Sequence, residues 1–222
     1  MSIEKKYCFA RSRQRSALHL AKRLLQPDPD YPYSVVYSLY FDTLDHDFLG
    51  EKANSDYLKQ KARIRWYDCE SAAATSAYIE IKRKNGNRRE KLRHRLEIPA
   101  DGMTGLGVGR GGKDSVTALI REVLGEDIPT LFPVLTIRYD RHRFKTRLNS
   151  ERINLDTRIS TRGSGGVRLP RSGWQTLHNG VLEVKGEHAA ASGPVTQIIE
   201  SLHGKKTAFS KYLEAYEALH GE

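Results

Sequence analysis

The stretch Lys59–Tyr67, with the sequence KQKARIRWY, decides the fold because it alternates between long cations and apolar side chains. Successive side chains of a β-strand point to opposite faces. One face of this predicted strand carries Lys59, Lys61, Arg63 and Arg65, and the other carries Ala62, Ile64 and Trp66. The pattern therefore predicts a strand that is cationic on one face and apolar on the other.

Three further segments repeat this design: Ala77–Lys84, Arg152–Arg158 and Val181–Lys185. Their charged positions are Glu80, Lys82, Lys84, Arg152, Asp156, Arg158, Glu183 and Lys185. One interpretation is an antiparallel sheet whose charged face is solvated and whose apolar face packs inward. The other inverts the arrangement, so that charged faces line a cavity. An anion bound there would remove the repulsion between the cations, and the acidic groups could hold a divalent cation.

The rest of the chain supplies more strands than helices. Two-residue alternation and β-branched or aromatic content predict eight strands, namely Glu4–Phe9, Ser34–Asp42, Lys59–Tyr67, Ala77–Lys84, Lys91–Ile98, Val134–Phe144, Arg152–Arg158 and Val181–Lys185. Helical spacing predicts four helices, namely Ser12–Leu25, Asp114–Leu124, Pro194–Leu202 and Ser210–Leu219. The strands follow one another without the helix spacing of βαβ units. We therefore expect an α+β fold in which about eight antiparallel strands close into a β-barrel with flanking helices.

Length and composition bound the class of protein. The 222 residues suit one domain over 1–222, and the net charge of +10, from 37 Lys and Arg against 27 Asp and Glu, implies an anionic partner. Apolar runs are too short for a transmembrane helix or a secretory signal. Cys8 and Cys69 form no disulfide scaffold, so a cytoplasmic location is expected.

One motif is set aside. The loop Gly107–Lys113 matches a glycine-rich phosphate-binding pattern, but no buried strand precedes it. We therefore expect Gly107–Lys113 to be part of an ordinary loop, Ala100–Lys113. Two other stretches, Gln26–Tyr33 and Arg162–Gly173, are also predicted to be loops.

Eight short motifs are met in order along the chain: EKKY at 4–7, SLYFDT at 38–43, KARIRWY at 61–67, IEIK at 79–82, RYDR at 138–141, RINLDT at 152–157, LEVK at 182–185 and SKY at 210–212. Together they resemble the VTC (vacuolar transporter chaperone) domain, the polyphosphate polymerase branch of the CYTH or triphosphate tunnel superfamily. The order covers nearly the whole chain, and it is more specific than any single motif.

The resemblance implies a tunnel of antiparallel strands in which the γ-phosphate of ATP is transferred onto a growing polyphosphate chain with release of ADP. The cations that it assigns to catalysis are Lys6, Arg63, Arg65, Lys82, Arg141, Arg152 and Lys211. Substrate would be bound by Lys61, Lys84, Lys185 and Ser210, and Glu183 would hold Mn²⁺ or Mg²⁺. These residue types suit phosphoryl transfer, which depends on positioning and on electrostatic stabilisation of charged oxygens.

The opening strand departs from the hydrolytic members of the superfamily. Those begin with Glu-x-Glu-x-Lys, whereas Ser2–Lys6 keeps a single glutamate and the final lysine. This difference favours the polymerase over a triphosphatase or polyphosphatase of the same fold. A non-enzymatic module that binds polyphosphate or RNA is the third alternative, and nucleic acid is the less favoured partner because acidic residues interrupt the basic faces. Oligomeric state stays open.

Overall fold

The structure is a computed structural model and describes residues 3–54, 57–68, 75–86, 88–98, 118, 120–122, 129–148, 151–165, 173–187 and 191–221. Its strands are β1 (Ile3–Ala10), β2 (Gln26–Pro27), β3 (Tyr33–Asp42), β4 (Leu58–Asp68), β5 (Thr75–Asn85), β6 (Arg88–Ile98), β7 (Phe132–Lys145), β8 (Glu151–Gly163), β9 (Gln175–Thr176), β10 (Asn179–Gly186) and β11 (Lys205–Lys206). Its helices are α1 (Gln14–Leu24), α2 (Asp47–Ala53), α3 (Gly193–Ser201) and α4 (Lys211–His220).

The strands form one sheet in the order β11-β1-β10-β8-β7-β3-β4-β5-β6, with β2 paired to β7 and β9 paired to β8. A closed barrel requires pairing between the two end strands. Within the described residues, β11 and β6 do not pair, and the prediction of a closed barrel of about eight strands is therefore wrong. Alternation identifies the face on which a side chain lies, but closure depends on strand tilt and stagger, which alternation does not encode.

All eight predicted strands are present within a few residues of their predicted bounds, and so are three of the predicted helices. The predicted helix Asp114–Leu124 and the loop Ala100–Lys113 fall mainly outside the described residues. Helix α2 and the two-residue strands were not predicted. Helix α2 is held by Asp42, whose carboxylate accepts hydrogen bonds from the backbone N–H groups of Phe48 at 2.9 Å and Leu49 at 3.0 Å.

The chain divides into two compact units. The first comprises Met1–Val35, Arg138–Ser160 and Thr176–Glu214, and the second comprises Val36–Ile137, Thr161–Gln175 and Ala215–Glu222. The expectation of a single domain stays a prediction.

Each unit has its own hydrophobic core. In the first unit, the apolar faces of β8 and β10 pack with helices α1 and α3, through residues such as Ile153, Leu182, Ala17 and Val195. In the second, Ile64 on β4 and Ile79 on β5 pack with Phe41 and Phe48. These apolar positions follow the predicted alternation, and Trp66 packs against the second core as it should. In each unit, the charged residues of the strands therefore lie on the face opposite to the core.

Candidate functional site

The charged residues of the first unit line up across β1, β10 and β8. In the antiparallel register Glu4 lies opposite Lys185, and Lys6 lies opposite Glu183. Strand β10 in turn places Lys185 opposite Arg152 and Glu183 opposite Asn154. Directly opposed residues share a face, so the register collects these side chains on one side of the sheet.

Asp156 is the centre of this cluster. Its carboxylate is 0% exposed and accepts two hydrogen bonds from Arg141, to Oδ1 from Nε at 2.7 Å and to Oδ2 from a terminal nitrogen at 2.8 Å. Lys211 Nζ, at the start of α4, donates to Oδ2 at 2.6 Å. The Tyr139 ring centroid lies 4.8 Å from Lys211 Nζ. One buried carboxylate therefore fixes the positions of two cations from different elements.

The electrostatics agree with this geometry. Burial alone would raise the pKa of Asp156, but the charges and hydrogen bonds of Arg141 and Lys211 outweigh it and hold that pKa well below its usual range. Burial opposes the charged form of Lys211 as well, yet the Asp156 carboxylate raises the Lys211 pKa. All three groups are therefore charged at neutral pH.

Glu183 lies on the same face, one row of directly opposed residues away from Asp156. Its Oε1 accepts a hydrogen bond from Asn154 Nδ2 at 3.0 Å and pairs with Lys185 Nζ at 2.9 Å. Burial would raise the pKa of Glu183, but the charges of Arg141 and Lys185 outweigh it and lower that pKa to about 2. Lys185 also lies 3.6 Å from Glu4, which pairs with Lys6 at 3.5 Å.

The second unit carries a separate charged surface on β4, β5 and β6, which we call the β4–β6 cation face. Its rows of directly opposed residues are Lys59–Lys84–Arg89, Lys61–Lys82–Lys91, Arg63–Glu80–Arg93 and Arg65–Tyr78–Arg95. Ten of these twelve positions are Lys or Arg, so the face strongly favours anions.

Glu80 organises this face as Asp156 organises the other cluster. Its carboxylate is 2% exposed, and Oε2 accepts from Arg63 Nε at 2.8 Å and from a terminal Arg63 nitrogen at 2.6 Å. Lys91 Nζ lies 2.8 Å from Oε1, and Arg65 and Arg93 lie within 3.8 Å. Burial would raise the pKa of Glu80, but Arg63, Arg65 and Lys91 outweigh it and hold that pKa well below its usual range.

Strand β3 supplies two hydroxyl partners to these arginines. Tyr40 is buried, and its hydroxyl accepts a hydrogen bond from Arg63 at 3.1 Å, while Ser38 Oγ accepts from Arg65 Nε at 3.3 Å. Burial would raise the pKa of Tyr40, but the charges of Arg63, Lys61 and Arg65 outweigh it and lower that pKa to about 7. The side chains of Arg63 and Arg65 are only 13% and 11% exposed, so this part of the face is not a solvated outer surface.

The sequence model of one protein family, described as the VTC domain, matches residues 3–220. The chain belongs to the VTC domain family. Membership supports an enzyme of the triphosphate tunnel type. A search of curated proteins found no match to this VTC domain.

Two solved structures show the same fold at low sequence identity. The PH1819 protein from Pyrococcus horikoshii has a TM-score of 0.52 and 13% identity, with 98% of this chain and 99% of that chain covered. A Bacillus halodurans protein described as a "putative adenylate cyclase" has a TM-score of 0.54 and 14% identity, with 95% and 94% covered. At these identities the similarity concerns the fold alone.

The VTC domain divides the predicted site residues between its two units. The first unit holds Lys6, Arg141, Arg152, Glu183, Lys185, Ser210 and Lys211, and the second holds Lys61, Arg63, Arg65, Lys82 and Lys84. Arg141 and Lys211 converge on Asp156, and Arg63 and Arg65 converge on Glu80. Ser210 is buried just before α4, and its Oγ accepts from the N–H of Leu213 at 3.5 Å.

Several contributors to the two clusters were not among the predicted site residues, and they include Asp156, Glu80, Tyr40 and Lys91. Alternation placed Asp156 and Glu80 on the charged faces, but the sequence gives no sign that each one binds several cations. The signal that could have identified Asp156 and Glu80 is that no other acidic residue shares their strand face. Each is the acidic residue of a strand face that otherwise carries arginine, lysine or a neutral polar group.

The donor set around Glu183 fits a divalent cation that arrives together with phosphate. Among the residues that the structure describes, no cluster of three or more His, Cys, Asp or Glu side chains could hold a metal ion alone. Mg²⁺, however, is commonly bound by one or two carboxylates together with substrate phosphates. Glu183 provides one carboxylate of low pKa for that arrangement.

The lengths and compositions of the described helices of the VTC domain can be compared with those of membrane-spanning helices. None of them is both long enough and apolar enough to span a lipid bilayer.

Proposed function

We propose that this VTC domain is a polyphosphate polymerase that transfers the γ-phosphate of ATP onto a polyphosphate chain and releases ADP. Family membership supports an enzyme acting on triphosphates. The observation that carries the proposal is the pair Arg141 and Lys211, held on the buried Asp156 carboxylate. Cations fixed in this way stabilise developing phosphate charge without rearranging during the reaction.

In the proposed reaction an oxygen of the terminal phosphate of the chain attacks the γ-phosphorus of ATP. A new P–O bond forms, the bond between the γ-phosphorus and the bridging oxygen breaks, and its electron pair leaves with ADP. The transition state spreads negative charge over the equatorial oxygens, so the protein contributes mainly position and positive charge. No protein nucleophile is required.

The cations contribute donors, fixed orientation and positive charge. Lys211 has three N–H donors and uses one on Asp156, which leaves donors for phosphate oxygens. Arg63 is fixed by Glu80 and Tyr40, so its planar guanidinium is held in one orientation before any phosphate binds. Lys6, Arg65, Lys82 and Arg152 add positive charge in the two units.

Glu183 would hold Mn²⁺ or Mg²⁺ against the phosphates, and the bound cation would neutralise phosphate charge. The contribution of the chain itself is to keep Glu183 ionised, through the charges of Lys185 and Arg141. The proposal places the enzyme in the cytoplasm, where ATP is available.

The test uses ATP labelled at the γ-phosphate, with Mn²⁺ or Mg²⁺, and resolves the products on a gel. A ladder of labelled chains together with ADP is expected. Labelled orthophosphate alone would replace the proposal with a triphosphatase, and binding of polyphosphate without turnover would replace it with a binding module.

A matched pair of variants tests the site. Lys82→Ala removes a cation from the β4–β6 cation face, whereas Arg83→Ala removes the neighbouring cation, which lies on the opposite face and bonds Gln60. We expect Lys82→Ala to lower polymerisation at least tenfold and Arg83→Ala to lower it less than twofold. Equal effects of the two variants would contradict the assignment.

A further inference from the structure

The row at one end of the β4–β6 cation face consists of cations alone. Lys59 on β4 lies opposite Lys84 on β5, which lies opposite Arg89 on β6. All three are at least partly exposed, and none has an ion-pair partner among the described residues. Directly opposed residues have their Cβ atoms about 4.5–5.5 Å apart, and like charges at that distance destabilise a sheet.

The acidic residue of this face is too distant to relieve the repulsion. Glu80 lies two rows away, which corresponds to four residues along each strand, or about 13 Å at ~3.3 Å per residue. The intervening row, Lys61–Lys82–Lys91, is cationic as well. An anion that lies along the strands would be attracted to three successive rows.

We propose that Lys59, Lys84 and Arg89 form a distal subsite for phosphates of the polyphosphate chain that are remote from its reacting end. This inference rests on the proposed function. A short phosphate chain at Arg63 does not extend over the ~13 Å to this row, whereas a long chain does. The subsite therefore selects for chain length and retains the growing product between transfers.

Polyphosphate fits this row better than single-stranded RNA. Sites for single strands combine cations with aromatic rings on which bases stack. Within these three strands the rings on the cation face, Tyr67 and Tyr78, lie at the opposite end and pack against each other at 6.4 Å. The guanidinium of Arg93 covers the Tyr78 ring at 3.7 Å. One exposed ring, Tyr57, precedes β4 beside this row and lies against Gly86. The end row thus offers three cations and a single ring, not the series of rings on which successive bases stack.

A matched pair of double variants tests the subsite. K84Q/R89Q removes two cations of the row, and R83Q/R88Q removes two cations from the opposite face of the same two strands. Binding of inorganic tripolyphosphate and of long-chain polyphosphate is measured without ATP at several salt concentrations. For K84Q/R89Q we expect at least a tenfold loss of affinity for the long chain and less than a twofold loss for tripolyphosphate.

The salt dependence gives a second readout. Each phosphate contact to a single-stranded polyanion contributes ~0.7 to the steepness with which the logarithm of the binding constant falls with the logarithm of the salt concentration. Loss of two contacts should therefore make this slope shallower by about 1.4 for the long chain. R83Q/R88Q should leave both affinities within twofold. An equal loss for both chain lengths, or no loss for either, would overturn the distal subsite.

Two further outcomes separate the alternatives. If a single-stranded RNA of matched charge binds as tightly as polyphosphate and K84Q/R89Q weakens it equally, the row is a nucleic-acid surface and the proposal is wrong. If the wild-type protein makes no polyphosphate from ATP but binds long chains through this row, the polymerase assignment fails while the subsite stands.

Discussion

Replacement of Asp156 by Asn tests the idea that one buried carboxylate holds the first cluster together. Asparagine has nearly the same size and leaves no cavity, but it removes the negative charge of the carboxylate, which accepts three hydrogen bonds from Arg141 and Lys211. Breaking a buried ion pair by removing one partner costs about 3–5 kcal/mol. We therefore expect the free energy of unfolding to fall by about that amount.

The assay is urea unfolding followed by circular dichroism at pH 7. The midpoint should fall while the slope with urea stays constant, because the folded structure and the surface exposed on unfolding are the same. In a thermal scan the same loss corresponds to roughly 6–20 °C, at about 2–4 °C for each kcal/mol in a chain of this size.

The matched control is Asp140→Asn. Asp140 is also buried, but its partner Arg158 is 71% exposed, so water can solvate the guanidinium after the change. A loss of about 1–2 kcal/mol is expected there. If Asp156→Asn costs less than about 1 kcal/mol, or no more than Asp140→Asn, the view of Asp156 as the centre of the cluster is refuted.

Three other perturbations have definite expected outcomes. The pKa of Glu183 is about 2 in the folded protein, against an ordinary value of 4.5, so its stabilising contribution is complete above pH 4.5 and is lost as the pH falls toward 2. Between pH 5 and pH 2, the free energy of unfolding measured with urea should therefore fall on the order of 3 kcal/mol further for the wild-type protein than for Glu183→Gln. Tyr40→Phe removes the hydroxyl that accepts from Arg63 and should lower polymerisation about tenfold with little change in the KM for ATP; an unchanged rate would exclude a positioning role. It should also remove a phenol that ionises near pH 7 in an ultraviolet titration. Asp42→Ala leaves the backbone N–H groups of Thr43, Phe48 and Leu49 without their acceptor and should cost about 2 kcal/mol in urea unfolding, whereas Asp45→Ala, at an exposed position nearby, should cost less than 0.5 kcal/mol.

The strands and their faces could be predicted because alternation is a local property. The nine residues KQKARIRWY already predicted β4 and the separation of its cations from Ala62, Ile64 and Trp66. Two-residue strands such as β2 carry no periodic signal. Helix α2 depends on Asp42, which precedes it in the chain, and its seven residues are too few for a clear helical pattern.

The clusters could be predicted only in part, because they depend on register. Glu80 reaches Arg93 because the short connection between Asn85 and Arg88 pairs these two residues and so sets every pair in β5 and β6. Its contact with Arg63 depends on the separate register of β4 against β5. Gly86 has a φ of +58° in this turn, which favours glycine. The contact between Asp156 and Lys211 joins positions 55 residues apart, and no sequence pattern specifies it.

Strand β6 is an end strand of the described sheet. Its exposed basic residues attract anions, and they also oppose the self-association of the protein through this edge. An unpaired edge is a template for a strand of another molecule, and charged side chains on it prevent such pairing. A polyanion that neutralises Arg89, Lys91 and Arg93 would weaken this protection. Solubility of the protein should therefore pass through a minimum as polyphosphate is added, and it should recover once excess polymer gives each copy a net negative charge.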